Sequence, residues 1–301
     1  MAQGQENAAR MTRNEPPAAL VAYWSERLGG PFDNAEWRPL AGGRTNRLWR
    51  VTGAQRDLVV KLFRPEAQTP LFCNDPQAEV RALEALQGIG IAPEFLANGV
   101  TEVGPSLVYA HVAGTCWQPG NEVADVARAL ARLHATPVPT DFGRAPAQAA
   151  HLRQQAREML AQAGAAARAI AALEPDPRGD TALPGKRFLH GDPTAGNTLV
   201  SGRAIAFIDW QCPVCGDPVL DLAVFLSPAM QVISGNPPLS RAEEDTFLDA
   251  YGDVAIARRY RALAPLLHWR MAAYCLWRAA RGESGYAEAA AREVARLRAA
   301  R

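Results

Sequence analysis

Lysine is almost missing from this chain. Of its 32 basic residues only Lys61 and Lys186 are lysines, and every other is arginine. Also missing is any run of eighteen or more apolar residues, which excludes a membrane-spanning helix. Excess charge of one sign is missing too. A formal net charge of +1 argues against a partner bound through the overall field, such as nucleic acid or a membrane surface. Five cysteines (73, 116, 212, 215 and 275) are too few and too scattered for a disulfide scaffold. Cys212 and Cys215 form a CxxC, but a structural zinc site takes about four ligands, and no second CxxC or HxxxH is present. Buried thiols are the expectation there, with a zinc or redox centre as the rival reading. No repeat or long low-complexity linker is found. A Walker A sequence is absent, and Gly88-Ile89-Gly90 lacks the third glycine of a dinucleotide fingerprint. Residues 1–17 are polar and carry no apolar signal segment, so a flexible tail and a cytoplasmic protein are expected.

What is present reads as a globular chain. Apolar residues make up 48% and charged residues 21%, enough for a sizeable core or two domains. A short helix is predicted over 18–28, ended by Gly29-Gly30. Residues 37–63 read as antiparallel strands. Leu48, Trp49, Val51, Leu58, Val59, Val60 and Leu62 are β-type, and Gly42-Gly43 and Gly53 punctuate them. A helix over 76–87 follows, with Asp75 as cap and Pro76 in its first turn. Glu79, Ala82, Leu83 and Leu86 share one face of it. A glutamate among apolar neighbours implies a buried partner, unless the position sits at the boundary with water.

Further strands are predicted at 94–97 and 106–112, with a break at Gly114. Helices are predicted from 122 and over 150–173, short strands at 197–200 and 204–208, and mostly helix over 240–301. Ser240 and Glu243 fit a capping box. Strands with one helix, then a mainly helical region with a β-insert, give an α+β class. The expected division is a tail (1–17), an N-lobe (18–112) and a C-lobe (113–301).

The densest polar text is residues 188–225, FLHGDPTAGNTLVSGRAIAFIDWQCPVCGDPVLDLAVF. His190-Gly191-Asp192 is followed by Asn197, then by Asp209 after the strand AIAFI, then by Asp217 and Asp221. A hairpin would bring Asn197 and Asp209 together as hard oxygen donors, suited to Mg²⁺ held jointly with a nucleotide's phosphates. Asp192 would then accept a proton from a substrate hydroxyl, the division of labour found in phosphoryl transfer. Lysine is the compact cation for a phosphate and arginine a poor replacement. Lys61, on its strand, is the candidate for that role. Lys186, in the loop-like PGKR, needs no function.

H-G-D-x-x-x-x-N, then I-D-W, then G-D-P-x-x-D-L-A resembles the aminoglycoside phosphotransferase and choline kinase superfamily. LAGGRTNRLWRV, VVKLF, AEVRALEAL and LARLHATP agree, and the resemblance spans about 37–280. It implies a two-lobed protein-kinase-like fold, with a small antiparallel-sheet N-lobe and a mainly helical C-lobe. It implies ATP and Mg²⁺ as cofactors and a small-molecule hydroxyl acceptor. Carried over by position, Asp192 is the catalytic base, and Asn197 and Asp209 ligate magnesium. Lys61 contacts the α/β-phosphates and pairs with Glu79. Gly42, Gly43, Thr45 and Asn46 cover the phosphates, and the backbone around Ala110 and Val112 meets the adenine. His190, His134, Asp217 and Asp221 read as braces.

The acceptor is less legible. Tyr274 and Trp277 resemble the paired aromatics of choline and ethanolamine kinases and suit a cation, although aromatics at helical spacing are commonly core. The expected acceptor is an amino alcohol or related cation of choline, ethanolamine or thiamine type. The alternatives are an aminoglycoside, with Glu243, Glu244 and Asp245 as acidic lining, and a non-catalytic nucleotide- or metabolite-binding module. Oligomeric state is not expressed in the sequence.

Overall fold

The computed structural model describes residues 15–29, 32, 35–40, 45–52, 56–64, 67–137, 142–145, 148–176 and 186–299. The chain divides into two compact units, Met1–Thr69 with Asn74–Ala113, and Pro70–Cys73 with Gly114–Arg301. The tail, Gly42 and Gly43 fall outside the described residues, apart from residues 15–17.

The first unit is a helix, a sheet and a second helix. Helix α1 (Ala18–Leu28) precedes strands β1 (Glu36–Pro39), β2 (Arg47–Thr52) and β3 (Asp57–Leu62). Helix α2 (Pro76–Ala85), β4 (Phe95–Thr101) and β5 (Gly104–Ala110) follow. The five strands are antiparallel in the order β1-β2-β3-β5-β4. Strand alternation divides β3 into two sets. Leu58, Val60 and Leu62 join Leu20 and Trp24 of α1, with Trp49 and Val51 of β2, in one core cluster. Lys61 belongs to the other face, the one that meets Glu79 of α2. Trp24 and Trp49 are fully buried, each removing roughly 150–250 Å² from water, on the order of 4–6 kcal/mol of burial. Asp75 caps α2 as expected, accepting from the backbone of Gln77 and Ala78.

The second unit holds β6 (Thr115–Cys116), α3 (Val123–Ala135), α4 (Ala149–Ala161), α5 (Ala167–Ala171) and β7 (Arg187–Leu189). Then come β8 (Thr198–Ser201), β9 (Ala204–Phe207), β10 (Val214–Gly216), α6 (Val219–Leu226) and α7 (Pro228–Ile233). Helices α8 (Arg241–Tyr251), α9 (Val254–Ala279) and α10 (Tyr286–Ala299) complete it. β6, β8 and β9 form one small antiparallel sheet, and β7 pairs with β10 in another.

Two expectations differ from what is found. The single helix over 150–173 is broken between α4 and α5, where Gly164 has φ +75°, a left-handed residue that stops a helix. Helices α6 and α7 have no counterpart in the sequence reading. VLDLAVFL is apolar nearly all round, so it shows no contrast between faces. The capping box at Ser240 and Glu243 is formed, with reciprocal hydrogen bonds.

Candidate active site

Strand β7 delivers the chain into His190-Gly191-Asp192, and its register with β10 (Leu189 opposite Val214) sets where that turn begins. Gly191 has φ +84°, and a Cβ there would collide with the Cys212 carbonyl oxygen and stand 3.1 Å from the Cys212 Cβ. Only glycine meets both conditions. Gly191→Ala is expected to cost at least about 2 kcal/mol, from the left-handed backbone plus the collision. A urea midpoint equal to that of the parent chain would contradict this.

Asp221, in the first turn of α6 and buried, holds the turn from behind. Its Oδ2 accepts from His190 N–H (2.8 Å) and its Oδ1 from Gly191 N–H (2.9 Å). His134, near the end of α3, lies 3.0 Å from Asp221 Oδ2 through Nε2 and 2.8 Å from the Tyr251 hydroxyl through Nδ1. The Asp221 carboxyl already accepts the two turn amides, so His134 Nε2–H is directed at it, and Nδ1 is left to the Tyr251 hydroxyl. His190 is committed at both nitrogens as well. Nδ1 accepts from Asp192 N–H (3.1 Å), and Nε2 donates to Ile208 O (3.0 Å). It braces the turn. Asp217 accepts from Val219 N–H and pairs with Arg259 Nε at 2.5 Å, which ties the start of α6 to α9.

Asn197 closes a short turn over Ala195–Asn197. Its Nδ2 donates to the Asp192 main-chain oxygen (3.0 Å) and to Asp192 Oδ2 (3.1 Å). Its amide oxygen Oδ1 has no protein donor among the described residues. β8 and β9 pair from Thr198 opposite Phe207 onward, and Ile208 N–H donates to Asn197 O at 2.9 Å. The hairpin therefore places Asn197 and Asp209 side by side at its open end. Asp209 has φ +66°, the only positive φ at a non-glycine among the described residues. Such backbone is costly and concentrates at functional sites.

Poor solvation pushes the Asp192 carboxyl well above the usual carboxylate range, and the nearby Asp209 and Asp221 charges add to this. The Asn197 hydrogen bond and the Arg278 guanidinium work the other way. Crowded carboxylates and a free amide oxygen make a donor set of hard oxygens that a divalent cation would relieve. Asp209 and Asn197 Oδ1 fit Mg²⁺, which would take its remaining ligands from phosphate oxygens and water.

In the first unit, Lys61 Nζ and Glu79 Oε2 are 2.5 Å apart, with side chains 0% and 1% exposed. The Lys61 main chain is held by Ser106, whose hydroxyl donates to Lys61 O (2.8 Å) while accepting from Trp24 Nε1 (3.1 Å). Ala110 ends β5, its N–H donating to Glu94 O (2.9 Å). His111 N–H bonds Asp57 O (2.9 Å), and Val112 follows where the chain leaves the sheet. Thr45 is half-buried just before β2. The Asn46 side chain is committed within the first unit. It is buried and exchanges amide hydrogen bonds with Asn74 (2.8 and 3.1 Å), while its Oδ1 accepts from Arg64 N–H (3.0 Å). That clamp joins the start of β2 to the chain just after β3 and just before α2.

Tyr274 and Trp277 do stack, 6.4 Å apart and 14° from parallel, but their cation positions are taken. Arg281 lies 3.5 Å over the Trp277 ring and Arg278 lies 5.8 Å from the Tyr274 ring. Glu243 is used in the capping box, Glu244 pairs with Arg296 and Asp245 with Arg261. Cys212 is buried, its thiol donating to Cys73 O (2.8 Å), and Cys215 is buried in β10. Tyr251, Arg259 and Arg278 have no part in the sequence reading. Of these only Arg278 carries a signal, as the charge inside the aromatic stretch YCLWR.

A model of the phosphotransferase enzyme family (APH) matches residues 36–266, and the chain belongs to that family. It is a phosphotransferase with a hydroxyl group as acceptor. Solved structures share its fold. A choline/ethanolamine kinase family protein from Mesorhizobium loti aligns over 93% of this chain and 92% of its own, at 19% identity and TM-score 0.63. A choline kinase from Cryptosporidium parvum aligns over 92% and 93%, at 14% identity and TM-score 0.64. A thermostable mutant of the aminoglycoside phosphotransferase APH(4)-Ia, in a ternary complex with ADP and hygromycin B, aligns over 93% of this chain and 98% of its own, at 15% identity and TM-score 0.60. No curated protein sequence matches the chain. Among the described residues no helix is long and apolar enough to cross a membrane.

Proposed function

We propose that the chain transfers the γ-phosphoryl group of ATP to a hydroxyl of a small molecule. The observation that carries this is the joint placement of Asp192, Asn197 and Asp209 by one glycine turn and one hairpin. Asp192 orients the acceptor hydroxyl and receives its proton as the oxygen attacks. Asn197 holds the Asp192 carboxylate in place and, with Asp209, would hold Mg²⁺. That ion would neutralise charge on the phosphates. Lys61, fixed by Glu79, binds the α/β-phosphates. The main chain at Ala110–Val112 takes the adenine, and the segment from Gly42 to Asn46 covers the phosphates.

For the acceptor, Tyr274 and Trp277 are the support for an amino alcohol of choline, ethanolamine or thiamine type. The arginines on those rings weigh against it. The commitments of Glu243, Glu244 and Asp245 remove the support for an aminoglycoside. The activity is tested by ADP release from MgATP with choline, ethanolamine, thiamine, kanamycin, glycerate or buffer alone. The expected result is release stimulated by one acceptor class and lost on adding EDTA. Release that is equal in every tube, or indifferent to EDTA, would count against the reading.

A further inference from the structure

The end of α9 and the turn just after it carry two guanidinium groups, Arg278 and Arg281, that the phosphotransferase reading leaves unused. The Arg278 side chain is 11% exposed. Its guanidinium lies 4.8 Å over the Tyr286 ring and 5.8 Å from the Tyr274 ring, and Nη1 donates to the Tyr274 hydroxyl at 3.0 Å. Nη2 pairs with Glu283. Nε is buried and has no acceptor. Arg281 covers Trp277 and donates to Trp277 O (3.0 Å) and Gln162 Oε1 (3.1 Å), with no carboxylate among its partners.

A chain of contacts runs from the loop after Asp192 toward this cluster. Gly196, between Asp192 and the hairpin, donates to Ser234 Oγ (3.3 Å) just past α7. The neighbouring Ile233 Cδ1 comes within 3.7 Å of where a side chain on Gly285 would start, and Gly285 precedes Tyr286. The Arg278 charge is also felt at Asp192. Two guanidinium groups against one carboxylate leave the aromatic pair net positive. A quaternary ammonium would meet cations already seated on the rings. An oxyanion would meet a buried N–H edge held between two tyrosines, the geometry that arginine offers to carboxylate and phosphate.

We propose that the hydroxyl acceptor carries an anionic oxygen group, carboxylate or phosphate, bound by the Nε edge of Arg278. This rests on the phosphotransferase reading and names its substrate class. Arg278 is then the specificity-determining residue, and Arg281 adds to the field.

The test uses matched probes, glycerate and glycerol 3-phosphate against glycerol and choline. Each is assayed for ADP release and for calorimetric binding to the full chain loaded with the magnesium complex of AMP-PNP. One of the two anions is expected to bind and accept phosphate, and which one does separates carboxylate from phosphate. Arg278→Gln is expected to raise its KM about 30-fold, the loss of one charge-assisted hydrogen bond, with kcat changed less than threefold. Arg278→Lys should recover part of that loss, which a purely structural role would not show. Preference for choline or glycerol would overturn the proposal, as would equal KM values for parent and Arg278→Gln. Failure of both anions to bind the nucleotide-loaded chain would overturn it too. Each of these leaves the phosphotransferase reading standing. That reading fails separately, if AMP-PNP itself does not bind.

Discussion

Asp192→Asn is expected to lower turnover by about 10²- to 10⁴-fold, the range that a positioned general base supplies. The substitution keeps the side chain's shape and removes its capacity to take a proton. The contacts that shape the turn survive it. Asp221 still receives the His190 and Gly191 amides, and Asn197 still donates to the residue 192 main-chain oxygen. Nucleotide affinity should therefore change little. Stability should hold or rise at neutral pH. A carboxyl whose folded pKa is raised destabilises the fold once it is ionised, and Asp192 is raised by poor solvation and by Asp209 and Asp221. The sign for activity is the reverse. The base acts when deprotonated, so the parent rate should fall as pH drops through a value above the usual carboxylate range. The variant should lack that limb. Steady-state rates from pH 5 to 9 and a thermal melt check all three points. More than a few per cent of residual turnover would contradict the assignment.

Removing Lys61 should produce the second large effect, this time on folding as well as on rate. Lys61→Met leaves the Glu79 charge buried without its ammonium. Breaking one side of a buried pair costs about 3–5 kcal/mol, a large part of a typical domain's stability. Lys61→Arg keeps the charge but forces a larger planar group into a fully buried place, at about 1–3 kcal/mol for overpacking. The double variant Lys61→Met with Glu79→Leu separates the two roles. Its stability should return to within about 1–2 kcal/mol of the parent, because apolar replacement of a buried ion pair is often neutral. Its activity should stay lost, since nothing is left to meet the phosphates. Recovery of both would make the pair purely structural, and recovery of neither would show that the two apolar replacements do not pack against each other. Urea titration and ADP release read the two quantities independently.

The parts of this site that could be read in advance are those with a local signal. One of only two lysines in an arginine-rich chain and a glutamate on an apolar helix face each broke a pattern, and the structure joins them at 2.5 Å. The hairpin that places Asn197 beside Asp209 was legible because AIAFI and its turn are local. What could not be read depends on distant partners. Asn46 sits in a glycine-rich segment that suggests phosphate contact, and only the fold shows Asn74, 28 residues on, claiming its amide. Tyr251 reaches His134 across 117 residues. The left-handed backbone of Asp209 leaves no trace in residue type, since aspartate serves equally in turns and strand ends. Tyr274 and Trp277 are legible as a pair, but whether a ligand or the protein's own arginines would occupy them is decided by the rotamers of Arg278 and Arg281.

The most direct test of the account follows the phosphate itself. The chain is incubated with MgATP labelled at the γ-phosphorus and with glycerate, glycerol 3-phosphate, choline or kanamycin, and the products are separated by mass. The account predicts label on the hydroxyl of one acceptor class, formed by the parent chain and lost with Asp192→Asn. Label found only as inorganic phosphate, at the same rate in both proteins, would contradict it.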